Sequence, residues 1–199
     1  MNYINFFNED LPAAIGIFGA ILVSGAFGLN QFMILFVIVL LVLIWFYRAP
    51  EIDIPQYMLQ SNELYSPAYG TIESIKHIDG QYHVEVKLEL WDVHIQYFPT
   101  SGEVYDQIYK PYSVTTKMKN LMWGAEPKDR EIYITQRIGY VARRIATPEV
   151  RGPVLSGKRL GMIKLGSHVD LVISDKYKLL IKPDDPVRGP YTKIAVWDG

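Results

Sequence analysis

Two places in the sequence carry groups able to do chemistry. His94 lies in LWDVHIQYFP, residues 90–99, with Asp92 two positions before it. Side chains two apart on a strand share a face, so the spacing predicts the Asp92 carboxylate beside the imidazole, a pairing suited to general-base work. A lone strand histidine is more often structural than catalytic, and spacing alone leaves both roles open. Gly166-Ser167 sits inside GMIKLGSHVDLVI, residues 161–173, where the alternation makes it a tight interruption between two strands. A serine hydroxyl becomes a nucleophile when a base activates it, but Gly-Ser pairs are common in loops and this one is a weak signal by itself. Ser66-Pro67-Ala68-Tyr69-Gly70 is a turn by composition. Arg143, Arg144, Lys158, Arg159 and Lys164 could form a basic surface for anionic headgroups, although a solvated charged face is the more frequent reason for such scattered cations.

Several chemistries are excluded. The chain has no cysteine, which removes thiol catalysis, disulfides and thiolate metal sites. There is no Walker-type loop, no dinucleotide glycine fingerprint and no His/carboxylate spacing that defines a metal site, so no metal is expected. A formal net charge of −1 over 199 residues argues against a nucleic-acid partner, which would favour a strongly basic protein.

The elements that must position these groups are mostly strands. TIESI (71–75), YHVEVKLEL (82–90), VHIQYF (93–98), EIYITQRI (131–138), HVDLVI (168–173) and KLLIK (178–182) are short β-prone runs broken by Gly and Pro. Val84, Val86, Leu88 and Leu90 alternate with Glu85, Lys87 and Glu89, the period of a half-buried strand. Turn signals about every ten residues predict a mainly β fold, a β-rich sandwich or barrel with one or two short helices. A faint repeat links residues 149–163 with 185–196, and such hairpins also occur in biotinyl- and lipoyl-carrier domains, although no carrier-lysine motif is present. Ser113 to Ala125, SVTTKMKNLMWGA, reads as the helical exception, with Met118, Leu121, Met122 and Trp123 on one face and Lys117 and Lys119 beside it. Such a helix either covers the β core or lies on a bilayer surface.

Residues 1–47 are of another kind. They hold no Lys or Arg, and Glu9 and Asp10 are their only acids. Leu11 to Leu29 is uncharged and rich in small residues, and Phe32 to Tyr47 is apolar on every face. As helices these runs reach roughly 24–28 Å, just short of a hydrocarbon core. They predict an N-terminal transmembrane helical hairpin with both ends on one side, the small residues of the first helix (Ala13, Ala14, Gly16, Gly19, Ala20, Gly25, Ala26 and Gly28) letting the second pack closely against it. A signal peptide would open with basic residues rather than Glu9 and Asp10, and a domain of about 150 residues rarely buries so continuous an apolar run. Trp45 and Tyr47 suit the interface and Arg48 is the first cation, placing residues 48–199 on the positive-inside side, cytoplasm or matrix.

Together these pieces resemble the short phosphatidylserine decarboxylase proenzymes of bacteria and archaea. The likeness runs through WFYRAPEIDIP (45–55), similar to the family's "FFRDP" segment, SPAYGTIESI (66–75), WDVHIQYFPTSGEV (91–104), IGYVARRI (138–145), GKRLGMIKLGSHVDLVIS (157–174) and VRGPYTKIAV (187–196). The resemblance implies a proenzyme that cuts itself between Gly166 and Ser167, the serine hydroxyl attacking the preceding carbonyl and the resulting ester breaking by β-elimination. A pyruvoyl group derived from Ser167 would then be the only cofactor. Its ketone condenses with the amine of phosphatidylserine and serves as electron sink while carbon dioxide leaves. A membrane hairpin suits such a substrate. Implied partners are the phospholipid membrane, an anionic phospholipid, and either further copies or a larger membrane complex. The catalytic set would be Ser167, His94 and Gly166. Asp92 and Tyr69 stand at orienting or altered positions, with Arg143, Arg144, Tyr97 and His168 as headgroup contacts.

The departures from the family pattern cluster at this site. Tyr69 stands where the family's S-P-A-D-G turn carries the Asp that orients the cleavage histidine. Gln96-Tyr97 replaces its Asn-Arg, Arg130-Glu131 its Arg-Asn, and His168 the Arg after the serine. Two functions follow: a self-processing decarboxylase with His94 as base, or an uncleaved, silent relative that binds lipid or serves a membrane assembly as a structural subunit. An anchored adaptor with carrier-like hairpins is a third reading, against which GMIKLGSHVDL argues.

Overall fold

Two apolar helices open the described part of the chain in the computed structural model, which describes residues 11–46, 48, 62–121, 126–138, 144–164 and 167–198. The chain divides into two compact units, Met1–Ala49 and Pro50–Gly199.

In the first unit, α1 (Leu11–Ala26, 16 residues) and α2 (Asn30–Phe46, 17 residues) form an antiparallel pair. α1 stops three residues earlier than its apolar run, and the reason is local. Gly28 adopts φ 69° just past the helix end. Leu29 N donates to Ser24 O at 2.8 Å and Gly28 N to Gly25 O at 3.1 Å, which is the Schellman arrangement of a glycine-capped C-terminus. At about 24–26 Å, no helix among the described residues is long and apolar enough to cross a membrane. The small residues also do less than expected. A Cβ at Gly16 or Gly19 would meet nothing within 4 Å, and at Gly25 it would make only an ordinary contact with Met33 Sδ at 3.6 Å. Large apolar side chains nevertheless stand exposed all around the pair, Phe18, Leu22, Phe27, Leu35, Ile38 and Leu41 among them. Arg48 closes α2, its guanidinium 4.4 Å above the Trp45 ring and its Nη1 donating to Trp45 O at 3.0 Å.

The second unit is mainly β, as composition and alternation predict. Its strands are β1 (Glu63–Tyr65), β2 (Gly70–Ile78), β3 (Gln81–Leu88), β4 (Ile95–Tyr97), β5 (Gly102–Lys110), β6 (Ser113–Asn120), β7 (Glu131–Ile138), β8 (Arg144–Ala146), β9 (Gly152–Val154), β10 (Arg159–Lys164), β11 (Ser167–Ser174), β12 (Tyr177–Leu179), β13 (Pro186–Val187) and β14 (Lys193–Trp197). They build an eight-stranded sheet in the order β13-β2-β3-β11-β7-β6-β5-β9 and two three-stranded sheets, β1-β14-β12 and β4-β10-β8. The order is palindromic about β11 and β7. The β2–β3 hairpin mirrors β5–β6, and the edge strand β13 mirrors β9. The faint repeat in the sequence is the trace of this symmetry, since residues 149–163 contain β9 and most of β10 while 185–196 contain β13 and most of β14. One side of each strand feeds the core: Val84, Val86 and Leu88 of β3, Ile132 and Ile134 of β7, and Val169, Leu171 and Ile173 of β11 are all buried.

The helix expected over Ser113–Ala125 is not formed. Residues 113–120 are β6, paired with β5 and β7. Val114, Thr116, Met118 and Asn120 alternate inward, while Lys117 turns outward to Asp106 at 3.2 Å. The β-branched Val114, Thr115 and Thr116 favour this pleat over a helix, and period two outcompetes the helical stripe. Met122 and Trp123 lie outside the described residues.

Candidate functional site

The site is built on β4 and β10. Ile95, Gln96 and Tyr97 pair with Met162, Gly161 and Arg159, and Ile163 N donates to His94 O at 3.0 Å, extending the pairing to the histidine. From there β10 runs to Lys164, and after residues 165–166 the chain re-enters the large sheet as β11, with Ser167 opposite Leu88 of β3 and Ile138 of β7. Backbone pairing therefore sets His94 beside Ile163, one residue before β10 ends at Lys164. Gly166 and Arg143 lie outside the described residues, and Arg144 is placed by its backbone, opposite Lys164.

His94 is fully buried. Its Nδ1 lies 2.8 Å from the backbone carbonyl of Asp92. A carbonyl only accepts, so Nδ1 carries a proton; in the neutral ring the lone pair then falls on Nε2, the form a general base needs. The expected orienting carboxylate is elsewhere. Asp92 precedes β4 rather than lying within it, and its Oδ2 accepts from Glu89 N at 2.8 Å, closing the turn that follows β3. Asp92 thus orients the imidazole through its main chain.

Gln96, which the sequence marks only as a departure, anchors a buried polar chain. Its Nε2 donates to His94 O at 2.9 Å, Gln136 Nε2 of β7 donates to Gln96 Oε1 at 2.8 Å, and Thr147 Oγ1 donates to Gln136 Oε1 at 2.7 Å. Gly161 makes room for it: a Cβ there would stand 2.2 Å from Thr147 Oγ1 and 2.9 Å from Gln136 Nε2.

The Tyr69 ring lies 6.3 Å from that of Tyr97, tilted by 59°, and Tyr97 N donates to Pro67 O at 2.8 Å, which holds the turn against β4. Within that turn Ser66 Oγ donates to Ala68 O at 2.7 Å, and a Cβ at Gly189 would meet the Ala68 backbone at 2.9 Å. Burial holds the Tyr97 phenol protonated above the usual range. Tyr69 and Tyr191 reinforce this and Arg159 opposes it.

These motifs and their register match one family. Its profile, described as phosphatidylserine decarboxylase, covers residues 40–195. The chain belongs to the phosphatidylserine decarboxylase family. Among its relatives, the phosphatidylserine decarboxylase proenzyme of Chlorobium phaeovibrioides is 30% identical over 76% of this chain and 75% of its own. The proenzymes of Desulfotalea psychrophila, 29% identical over 87% and 88%, and of Solibacter usitatus, 27% over 82% and 83%, are similarly close. No solved structure matches the chain significantly.

In this decarboxylase-family domain, the outer face of the large sheet carries separate polar chemistry. His168 Nε2 is 3.0 Å from Glu73 Oε2, so the side chain expected at a lipid headgroup is paired with a glutamate. A bulge between Ile72 and Ser74 lies at Glu73, whose carboxylate falls with those of Glu85 and His168's ring within 4.8 Å of one another. This juxtaposition across β2, β3 and β11 is invisible to linear metal spacing. Arg137 takes Glu85 and also Asp170, its Nε 2.6 Å from Asp170 Oδ2. Burial opposes ionisation of Glu85, but Ser74 and Arg137 outweigh it and hold the carboxyl below its ordinary range. A pocket of about 470 Å³ opens beside Arg137, lined from β2, β3, β7 and β11 and by no residue of the His94 segment.

The sequence had no signal for Gln136, Thr147 or Gly161 as parts of the site. Gln136 alternates in phase with the buried Ile132 and Ile134, so in the sequence it is simply one more inward position of that strand.

Proposed function

We propose that this protein is a membrane-anchored phosphatidylserine decarboxylase that matures by cutting its own chain at Gly166-Ser167. His94 takes the proton of the Ser167 hydroxyl as its oxygen attacks the Gly166 carbonyl. The peptide C–N bond gives way to an ester; β-elimination releases the Gly166 carboxylate and leaves a dehydroalanine at the new terminus, which water converts to a pyruvoyl group with loss of ammonia. When formed, that group supplies an electron sink for loss of carbon dioxide from a seryl lipid. The observation that carries this reading is the 2.8 Å contact of His94 Nδ1 with the Asp92 carbonyl. It fixes the tautomer that a base requires and does so without a carboxylate. Fit to the group rests on Ser167 standing at the start of β11, shortly after β10 ends at Lys164.

The apolar helix pair supports membrane attachment. Each helix is short for a full span, yet large apolar side chains face outward around both, as expected where lipid is the solvent. We place residues 48–199 on the cytoplasmic or matrix side, following Arg48. Resistance of the full chain to alkaline carbonate extraction checks the attachment, and release into the supernatant would refute it.

The deciding measurement is the denatured intact mass of the protein from its native membrane. Two fragments split at 166/167, the smaller with a blocked N-terminus, are expected, and Ser167→Ala should leave one species of 22.8 kDa. A single species in the wild type would overturn the reading.

A second reading has its own observation. Tyr69 presents an aromatic ring to Tyr97 where the family pattern brings a carboxylate, which suits an uncleaved relative acting as a lipid-binding or structural subunit. If Tyr69 disables the chain, Tyr69→Asp should start cleavage in a protein otherwise intact. Failure to cut would remove Tyr69 as the cause.

A further inference from the structure

The pocket of about 470 Å³ on the outer face of the large sheet has a negative end and a positive end. Register lays its side chains out in two rows. Ser74 of β2, Glu85 of β3, Asp170 of β11 and Thr135 of β7 stand side by side, and Lys76, His83 and Val172 form the next row. In the first row two carboxylates share one cation, for Arg137 meets Glu85 and places its Nε 2.6 Å from Asp170 Oδ2. His168 does not make up the difference, since Glu73 takes it at 3.0 Å. Asp170 registers the shortage. Burial holds its carboxyl above the ordinary range and Glu85 adds to this, while Arg137 does not outweigh them. The second row is unbalanced in the opposite sense. The Lys76 ammonium and the His83 imidazole line the pocket without a hydrogen-bond or ion-pair partner among the described residues, and no acid stands in their row.

We propose that this pocket binds a small zwitterion, its oxyanion held by Lys76 and His83 and its ammonium by the carboxylates of Asp170 and Glu85. Lys76 and Arg137 balance Glu85 and Asp170 in number, so the lining calls for a ligand without net charge whose two ends differ in sign. A simple anion would answer Lys76 and His83 and lie beside a surplus of acid. A simple cation would answer the acids and leave Lys76 unmatched. Donors from two neighbouring strands can reach separate oxygens of one phosphate, and Ile78 and Val172 offer apolar surface to a short carbon linker. Two sources carry this chemistry, a free amino-alcohol phosphate and the headgroup of a zwitterionic phospholipid. The site uses no residue of the proposed self-cleavage and stands apart from that reading.

The test titrates the full-length protein, in an uncharged detergent, with phosphoethanolamine and with its two halves, inorganic phosphate and ethylammonium. Phosphoethanolamine should bind about 10-fold or more tighter than either half, since each end adds a hydrogen bond to a charged group. Lys76→Gln alters an exposed side chain, so the melting temperature and self-cleavage should stay as in the wild type. Phosphoethanolamine binding by that variant should fall by roughly 10-fold. Asp170→Asn should weaken phosphoethanolamine by a similar factor without weakening inorganic phosphate, a split that damage to the fold would not give. A dihexanoyl phosphatidylethanolamine that binds more tightly than phosphoethanolamine, by a margin that Lys76→Gln removes, identifies a lipid headgroup. Equal or weaker binding identifies the free zwitterion, and both uphold the site. Either half binding as tightly as phosphoethanolamine, binding indifferent to Lys76→Gln, or no binding at all would overturn it. A chain that is never cut yet binds phosphoethanolamine through Lys76 keeps this site and loses the decarboxylase reading. A chain that cuts itself but ignores the zwitterion does the reverse.

Discussion

The β1–β14–β12 and β4–β10–β8 sheets can be compared residue by residue. Asn62 O accepts from Trp197 N at 2.9 Å where His94 O accepts from Ile163 N at 3.0 Å. Leu64 faces Ala195 in one sheet, and Gln96 faces Gly161 in the other. All four of those residues are buried, so the difference is one of chemistry rather than exposure. The first sheet spends its interior on apolar packing around Leu64, Ile194 and Ala195 and satisfies its charged groups with its own Glu63. The second replaces the leucine with an amide, deletes a methyl to admit Gln136 and Thr147, and buries an imidazole. Burying such groups costs stability unless each finds a partner. The architecture does not require them, since the sister sheet stands without them. The polar groups are therefore the feature that sets the second sheet apart on a repeated frame, and the proposed self-cleavage would be built on them.

The largest effect should come from making the second sheet resemble the first at the histidine. His94→Asn installs the residue that the apolar sheet carries at that position. Self-cleavage should fall by about 10²–10⁴-fold, the range for a lost general base, while thermal unfolding shifts little. Cleavage at the wild-type rate would remove His94 from the chemistry and erase the contrast between the sheets.

The next test exchanges the facing small residues. In most strands a Gly→Ala change is neutral or stabilising, because it restricts the unfolded chain. Gly161→Ala should instead lower stability by about 1–3 kcal/mol, the range for overpacking, since the new methyl would land 2.2 Å from Thr147 Oγ1. It should also slow cleavage by disturbing the amide that holds the His94 carbonyl. Ala195→Gly, the reciprocal change, removes one buried methyl and should cost about 1 kcal/mol with no effect on cleavage. Denaturant unfolding of the two variants gives both numbers. Equal costs would mean that the polar chain is loose enough to move aside.

The contrast also explains what could be read in advance. The strands around Val84, Val86 and Leu88 were legible because alternation reports a buried face directly. The family was legible because the motifs flanking His94 and Ser167 are specific, and the family profile bears out the resemblance. The helix over 113–125 was misread because Met118 and Leu121 fit a helical stripe, while the deciding contacts lie in β5 and β7. The close helix packing through Gly16 and Gly19 was misread because small residues permit an approach without causing it. The Asp92 carboxylate was placed by strand geometry in a segment that is still a turn. Gln136 and Thr147 could not be found at all: they are 40 and 51 positions beyond Gln96 in the chain and meet it only through sheet register, which sequence does not print.

The smallest effect is expected in the apolar sheet, and it tests the clasp that Tyr65 and Lys193 make on Glu63. Burial opposes ionisation of Glu63, but the bonds from Lys193 and Tyr65 prevail and hold its carboxyl below the ordinary range. A carboxyl depressed in the folded state binds fewer protons there than in the unfolded chain. Its stabilisation is therefore complete above the ordinary carboxylate value of about 4.3 and is lost as pH falls through the lowered one. Glu63→Gln should cost about 1 kcal/mol at neutral pH, as befits a partly solvated pair, and the gap to wild type should close on acidification. A gap that persisted at a pH low enough to protonate the carboxyl in both states would show that Glu63 acts by shape rather than charge.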